Sequence, residues 1–162
     1  MIARNEEKRI EHCLSSLKPY GFEIVVVDTG SNDSTKEIAK KYADKVLDFT
    51  WCDDFSAARN YSLRCASNNW IFMIDCDEWI KETDIEELTY FRKHLSDCVG
   101  SVFRENLVTR NGIQSLDNTD YTERFFDKRL YHYTGIIHEQ LTPIRGKDIT
   151  SYLLKTTLLH TG

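Results

Sequence analysis

Residues 24–35 read Ile24-Val25-Val26-Val27-Asp28-Thr29-Gly30-Ser31-Asn32-Asp33-Ser34-Thr35: a short apolar run rich in β-branched residues that gives way at once to a polar turn. An apolar run without alternation predicts a strand buried on both faces. The turn that follows supplies several caps for a helix through Ile38 and Tyr42. The same strand–turn–helix unit recurs along the first half of the chain. Val46 to Phe49 reads as a strand, and Asp54 to Cys65 as a helix with Phe55, Ala58, Leu63 and Cys65 as inward positions. Trp70 to Ile74 is a further apolar strand that runs into Asp75-Cys76-Asp77-Glu78. Thr83 or Asp84 then caps a helix carrying Ile85, Leu88, Phe91 and Leu95. Upstream, Glu6 to Leu17 places Ile10, Leu14 and Leu17 on one helical face before Lys18-Pro19-Tyr20-Gly21 breaks it. Repeated units of this length predict an α/β fold, with a Rossmann-like, mostly parallel twisted sheet flanked by helices.

The second half changes character. Segments around Ser101 to Thr109, Glu123 to Leu130, Ile136 to Leu141 and Tyr152 to Leu159 read as strands separated by polar turns, and Asn111-Gly112 is a tight-turn signal. This half is expected to add antiparallel or mixed sheet to the parallel core. The 162 residues suffice for one domain. Within it, residues 1–98 read as a nucleotide-binding half and 99–162 as an acceptor-side half. A net charge of −5 argues against a general electrostatic grip on nucleic acid. No apolar run approaches the roughly 20 residues that cross a bilayer, and residues 1–7 show no leader pattern. The five cysteines are widely spaced without a C-x-x-C pair, which suits free thiols in a reducing compartment.

Ligands of open parallel sheets bind at the carboxyl ends of the strands. Two acidic turns take that place here: one begins at Asp28 after Val25-Val26-Val27, and the other is Asp75-Cys76-Asp77 after Ile71-Phe72-Met73-Ile74. Residues i and i+2 of an extended segment share a side, so Asp75 and Asp77 can face one ligand while Cys76 points back into the protein. Two hard oxygen ligands suit Mg2+ or Mn2+, which keep waters and bridge substrate phosphates. An Asp-x-Asp triplet alone is a weak signal; its position at a strand end strengthens it.

Together these motifs resemble those of family 2 glycosyltransferases, which have the A-type glycosyltransferase fold. Met1-Ile2-Ala3-Arg4-Asn5-Glu6-Glu7 is similar to the family's opening strand and turn, and residues 25–35 to its second strand and nucleotide turn. Asp54-Phe55-Ser56-Ala57-Ala58-Arg59-Asn60 resembles the next helix, and Asp75-Cys76-Asp77-Glu78 the Asp-x-Asp motif. Gly135-Ile136-Ile137-His138-Glu139 and His160-Thr161-Gly162 are like a bacterial subgroup of lipopolysaccharide-core glucosyltransferases and peptide S-glycosyltransferases. The resemblance covers nearly the whole chain, with the ends expected to be trimmed relative to longer members.

By position, the resemblance implies a nucleotide pocket formed by Ala3, Arg4, Asn5, Glu6, Asp28, Gly30, Ser31 and Arg59. Asp28 would bond the uracil, Arg59 would approach the base or diphosphate, Asp75 the ribose and metal-bound water, and Asp77 the metal. His160 would add a further ligand to Mn2+ or Mg2+. Plainer roles stand beside these. Asp28 can simply start a turn, Arg59 can pair with Asp53 or Asp54, and Glu6 can favour a helix start. His160 can be an exposed terminal histidine, and Trp51 and Trp79 can stack on a sugar or pack in a core.

The resemblance implies an inverting transfer from a nucleotide sugar, a UDP-sugar by expectation, to an acceptor hydroxyl or thiol in cell-envelope polysaccharide synthesis. The base is expected at Glu139, with Glu123, Asp117 and Asp120 as rivals. Two other readings remain: a sugar-1-phosphate nucleotidyltransferase and a non-catalytic sugar-nucleotide-binding domain. The acidic, glycine-free Arg4-Asn5-Glu6-Glu7 turn disfavours the first, and the retained Asp75 and Asp77 disfavour the second. The expected location is the cytoplasm, peripherally at the inner face of the membrane.

Overall fold

The apolar run at 24–27 lies in the middle of a parallel sheet. The computed structural model describes residues 1–146 and 148–161. Strand β1 (Ile2–Ala3), β2 (Val25–Asp28) and β3 (Lys45–Asp48) pair in parallel, with β2 between the other two. All of β2 is buried, as a run without polar alternation requires. Helix α1 (Ile10–Leu17) joins β1 to β2 and buries Ile10, Cys13, Leu14 and Leu17 at i, i+3, i+4 and i+7 spacing. It begins later than the sequence suggests. The Glu6 carbonyl accepts from the Arg9 and Ile10 N–H groups at 3.0 and 2.9 Å, so Glu6 leads the turn that opens the helix. A short 3-10 turn, Lys18–Tyr20, follows α1, and Gly21 at φ 67° reverses the chain.

Helix α2 (Thr35–Tyr42) and helix α3 (Phe55–Cys65) follow β2 and β3. The Asp54 carboxylate caps α3 by accepting from the Ala57 N–H at 3.0 Å. Ala58 and Leu63 face inward as expected. Phe55 does not. It is 40% exposed and packs edge-on against Trp51, because the first turn of α3 overhangs a cavity and not the core.

Strand β4 (Trp70–Phe72) departs from the expected parallel order. It runs antiparallel to β7 (Ile113–Asp127) in a second sheet of order β4-β7-β6-β10-β5, with β5 (Glu78–Glu82), β6 (Cys98–Arg110) and β10 (Thr150–Thr161). β10 is parallel to β6 and antiparallel to β5, which makes this the mixed portion of the fold. The β6–β7 hairpin turns at Asn111 and Gly112, with φ of 53° and 76°. A type I′ turn requires both residues to be left-handed. A separate hairpin pairs β8 (Tyr131–Thr134) with β9 (Gln140–Pro143). The expected strand from Ile136 therefore begins only at Gln140. Gly135 at φ 103° and His138 at φ 55° break the extended path, and Ile136 and Ile137 stand exposed.

Adjacent residues of β7 serve opposite faces of the second sheet, as the two-residue strand period dictates. Phe125 packs with Ile10, Leu14, Leu158 and, from helix α4 (Ile85–His94), Phe91; Phe126 packs with Leu63, Met73, Val99 and Tyr133. The two sheets meet where the chain leaving β4 passes β1. Cys13 Sγ donates to the Asp75 carbonyl at 3.3 Å, and Cys76 Sγ lies 3.5 Å from the Ile2 carbonyl. Burial pushes both thiols up, so they pack as small neutral groups. This seam brings the carboxyl end of the parallel sheet against the Asp75–Asp77 turn. Among the described residues no helix is long and apolar enough to cross a membrane.

Candidate functional site

Two turns at the carboxyl end of the parallel sheet are laced together. The Asn5 N–H donates to Ser31 Oγ at 2.9 Å, the Asn32 N–H to Asn5 Oδ1 at 2.8 Å, and the Glu6 N–H to Thr35 Oγ1 at 2.7 Å. Asn5 has φ 55°, a conformation that asparagine tolerates better than most residues. Asp28 is buried beneath this lacing. Its Oδ1 accepts from the Gly30 and Ser31 N–H groups at 3.0 and 2.9 Å, while Oδ2 is buried with no hydrogen-bond partner among the described residues. Asn5, Asp28, Gly30 and Ser31 thus build the rim and stand behind the lining of the cavity beside it; Thr29, which the sequence reading passed over, is in the lining.

That cavity has a volume of about 590 Å³. Of the expected residues, it brings together Ala3, Arg4, Glu6, Arg59, Asp75, Asp77, Glu139 and His160, and Trp51, Phe55 and Ile137 form an apolar lip. Trp79 is outside the lining and packs edge-on against His12 at 4.5 Å. Of the four acids considered as base, Glu139 alone lines the cavity.

Arg59 pairs with neither Asp53 nor Asp54. Its Nε donates to Glu139 Oε1, and its Nη1 lies 2.8 Å from Asp75 Oδ1, an ion pair without hydrogen-bond alignment. The second Asp75 oxygen accepts from Arg124 Nη2 at 3.0 Å. Burial alone would raise the Asp75 pKa, but Arg124 and Arg59 outweigh it and hold the carboxyl well below the usual range. Arg59 also lies over the Tyr133 ring, 5.5 Å from its centre, which fixes the guanidinium plane. Glu6 pairs with Arg9 at 3.6 Å, and burial raises its pKa.

Asp77 and His160 form the other end of the cavity. His160 is not a frayed terminus. On β10 it stands opposite Glu78 of β5 and Asn106 of β6, and the neighbouring Thr161 N–H donates to the Asp77 carbonyl at 3.0 Å. His160 Nε2 lies 3.4 Å from Asp77 Oδ2, and Nδ1 lies 2.8 Å from Asn106 Oδ1. The hydrogen bond with Asp77 raises the imidazole pKa.

Among the described residues no three His, Cys, Asp or Glu side chains converge as a metal cage. The Asp77–His160 pair nevertheless fits Mg2+ or Mn2+, which take few protein ligands and complete their shells with water and phosphate oxygens. Charge supports the same conclusion. The lining holds five carboxylates (Glu6, Asp75, Asp77, Glu78, Glu139) against three guanidinium groups (Arg4, Arg59, Arg104). An anionic diphosphate would meet net repulsion there without a cation.

Sequence reading missed Arg104, Asn106 and Arg124, quoted Glu78 without a role of its own and took Asp120 only as a rival base; all five stand beside or behind Asp75 and His160. The Asn111-Gly112 turn predicts the pairing of β6 with β7, and with it the facing polar side chains of Arg104, Asn106, Asn118 and Asp120. A register shift between Asn106 and Leu107 hides the partners.

The family model for glycosyl transferase family 2 matches residues 1–146. The glycosyltransferase SunS of Bacillus subtilis is 35% identical over 168 aligned positions, covering 100% of this chain and 38% of SunS. A TPR repeat-containing protein of Synechococcus elongatus is 42% identical over 95 residues, covering 59% of this chain and 23% of its own length. This chain therefore spans well under half the length of both relatives. The crystal structure of Staphylococcus aureus TarS 1-349 in complex with UDP-GlcNAc has a TM-score of 0.54 and 28% identity, covering 68% of this chain and 34% of that one.

Proposed function

We propose that this chain, which belongs to glycosyl transferase family 2, transfers a sugar from a UDP-sugar to an acceptor hydroxyl or thiol with inversion, and depends on Mn2+ or Mg2+. The observation that carries the reading is the Asp77–His160 pair, 3.4 Å apart, in a cavity that also holds Asp75 and Arg4. Asp77 and His160 would hold the cation. When bound, it would neutralise the charge that builds on the diphosphate as the sugar bond breaks. Arg4, exposed on the cavity wall, is placed to meet the diphosphate. Asp75, held by two arginines, presents a fixed carboxylate to the ribose side. Glu139 takes the acceptor proton. The UDP-GlcNAc complex of TarS supports the donor class by analogy. The cavity takes residues from both sides of position 98, so residues 99–162 contribute to the donor site as well as to the proposed acceptor side.

The direct test is calorimetry of UDP with and without Mn2+. Micromolar-range binding that requires the cation is expected, and no UDP binding under either condition overturns the reading. Asp28 offers a second test. Its unpartnered Oδ2 gives a base N–H a charge-assisted acceptor once the rim opens to admit it. Asp28→Ala is expected to weaken UDP binding by about 1.5–3 kcal/mol, the worth of a hydrogen bond to a charged group, with cation dependence retained. Parent-like affinity in that variant makes Asp28 a turn residue alone.

His160→Ala should act through the cation instead. The UDP affinity of the variant is expected to fall further behind the parent as Mn2+ is lowered, and to equal the parent when Mn2+ is absent. A loss that is the same at every Mn2+ concentration would remove His160 from the ligand set.

A further inference from the structure

Glu78 has no role in the transfer just described, yet the structure buries it completely, with 0% exposed. It brackets the Asp75-Cys76-Asp77 turn. The Glu78 N–H donates to the Asp75 carbonyl at 3.1 Å, and Glu78 Oε2 accepts from the Asp75 N–H at 3.1 Å. The other carboxylate oxygen accepts from Arg104 Nη1 at 3.1 Å and from Arg124 Nη2. Arg124 is itself only 7% exposed, and the same Nη2 reaches Asp75 Oδ2 at 3.0 Å. From Arg104 the contacts continue. Two bonds of 2.9 and 2.7 Å hold Asp120, Asn106 donates to Asp120 at 3.3 Å, and Asn106 meets His160, whose other nitrogen faces Asp77. Charges thus alternate from Asp75 through Arg124, Glu78 and Arg104 to Asp120, and the neutral Asn106 and then His160 complete the series to Asp77 across β7, β5, β6 and β10.

Burying a carboxylate and a guanidinium has a desolvation cost that their attraction does not reliably offset; apolar residues of similar volume often stabilise as well or better. Arg124 adds to that cost, because its Nε is buried with no partner among the described residues. Stability is therefore a poor reason for this cluster. Its geometry supplies another: the series begins on Asp75 and ends on Asp77, and both of these line the cavity. We propose that Glu78 and Arg124 are positioning residues of the donor site. Glu78 closes the backbone turn across Asp75 and Asp77, Arg124 sets the direction of the Asp75 carboxylate, and together they govern affinity for a nucleoside diphosphate with its cation. The proposal rests on the donor-site reading above.

The test is calorimetry of UDP, with and without Mn2+, on the parent, Arg124→Met, Arg124→Lys and Leu88→Ala. Leu88, on the buried face of α4, is in the core and not in the cavity lining, so Leu88→Ala serves as a destabilised control. Arg124→Met is expected to weaken Mn2+-dependent UDP binding about 10–100-fold, the size of loss that follows when a partner orienting a side chain of a metal-bearing site is removed. Arg124→Lys should recover part of this, since an ammonium restores the charge but not the planar fork. Leu88→Ala should bind as the parent does. If Arg124→Met does not fold, Arg124→Lys carries the test, with an affinity measurably below the parent. Parent-like affinity in the folded variant, or an equal loss in Leu88→Ala, overturns the proposal and leaves the donor site standing. A parent that binds no UDP overturns both.

Discussion

Asp77→Asn is expected to remove most of the Mn2+-dependent binding of UDP, weakening it by at least about 100-fold, the upper end of what losing a mere orienting partner costs. The substitution replaces an anionic oxygen with a neutral amide of the same size, so the loss falls on charge and not on shape. The fold should tolerate it. The Asp77 backbone carbonyl is tied to the Thr161 N–H at 3.0 Å independently of the side chain, and the side chain itself meets His160 at 3.4 Å in a partly open setting. UDP affinity without Mn2+ should stay at the parent level or rise slightly, because one negative charge has left a cavity rich in carboxylates. Asp75→Asn should do smaller damage to the cation dependence, since both Asp75 oxygens already face guanidinium groups. Calorimetry at several Mn2+ concentrations separates these effects. Unchanged cation-dependent affinity in Asp77→Asn would take the metal away from this turn altogether.

The fold was legible wherever one local rule decided it. The run at 24–27 needed a sheet on both sides and received one, and Asn111-Gly112 needed left-handed φ at both residues and has it. Of the two caps offered for the helix from Ile85, Asp84 takes the place, its carboxylate accepting from the Glu86 and Glu87 N–H groups at 2.9 and 3.1 Å, and Asp54, read as the first residue of its helix, caps it. What failed to show was pairing at a distance. Trp70–Phe72 has the composition of a parallel central strand, but composition reports burial on both faces and not the direction of the neighbour, and β7 runs antiparallel. At Ile136–Ile137 two exposed β-branched residues imitate a strand that Gly135 and His138 forbid.

The cavity shows the same division. Arg4, Glu6, Asp75 and Asp77 sit in turns at strand ends and Arg59 lies one turn inside α3, where motif spacing places them. His160 reaches Asp77 only because β10 inserts between β5 and β6, an arrangement invisible to any local pattern. Arg104, Arg124 and Glu78 were harder still. On a sequence, a charged residue in a strand reads as solvent-facing; the pairing of β6 with β7 turns Arg104 and Arg124 inward, and the pairing of β5 with β10 does so for Glu78. Counting back from Asn111-Gly112 pairs Arg104 with Thr119; the irregularity at Asn106 and Leu107 moves the partner by one residue, to Asp120. Asp28 stands at the strand end where the motif places it; its Oδ1 takes the plainer turn-supporting role, while Oδ2 keeps no partner among the described residues.

Glu139→Gln is expected to keep donor binding near the parent level while lowering transfer by about 10²–10⁴-fold, the usual worth of a positioned general base. Glutamine keeps the size of the side chain and an oxygen that can accept from Arg59 Nε, the contact that fixes Glu139 in the parent. Arg59 also keeps Asp75, 2.8 Å away, and its place over Tyr133, so the donor side of the cavity has little reason to rearrange. What disappears is the carboxylate lone pair that would accept the acceptor proton. The loop fixes the position of Glu139: the Phe55 N–H donates to the Ile136 carbonyl at 3.1 Å, which docks residues 135–139 on α3 with Glu139 at the cavity beside the apolar lip. Single-turnover transfer to a cognate acceptor measures the chemical step, slow donor hydrolysis serves where no acceptor is in hand, and calorimetry with UDP and Mn2+ checks the donor side in parallel. A variant that binds the donor normally and transfers at near-parent rate would leave Glu139 as the partner that orients Arg59. Loss of binding and transfer together would assign it to the donor site, and in either case the base would have to be sought among the other carboxylates of the cavity.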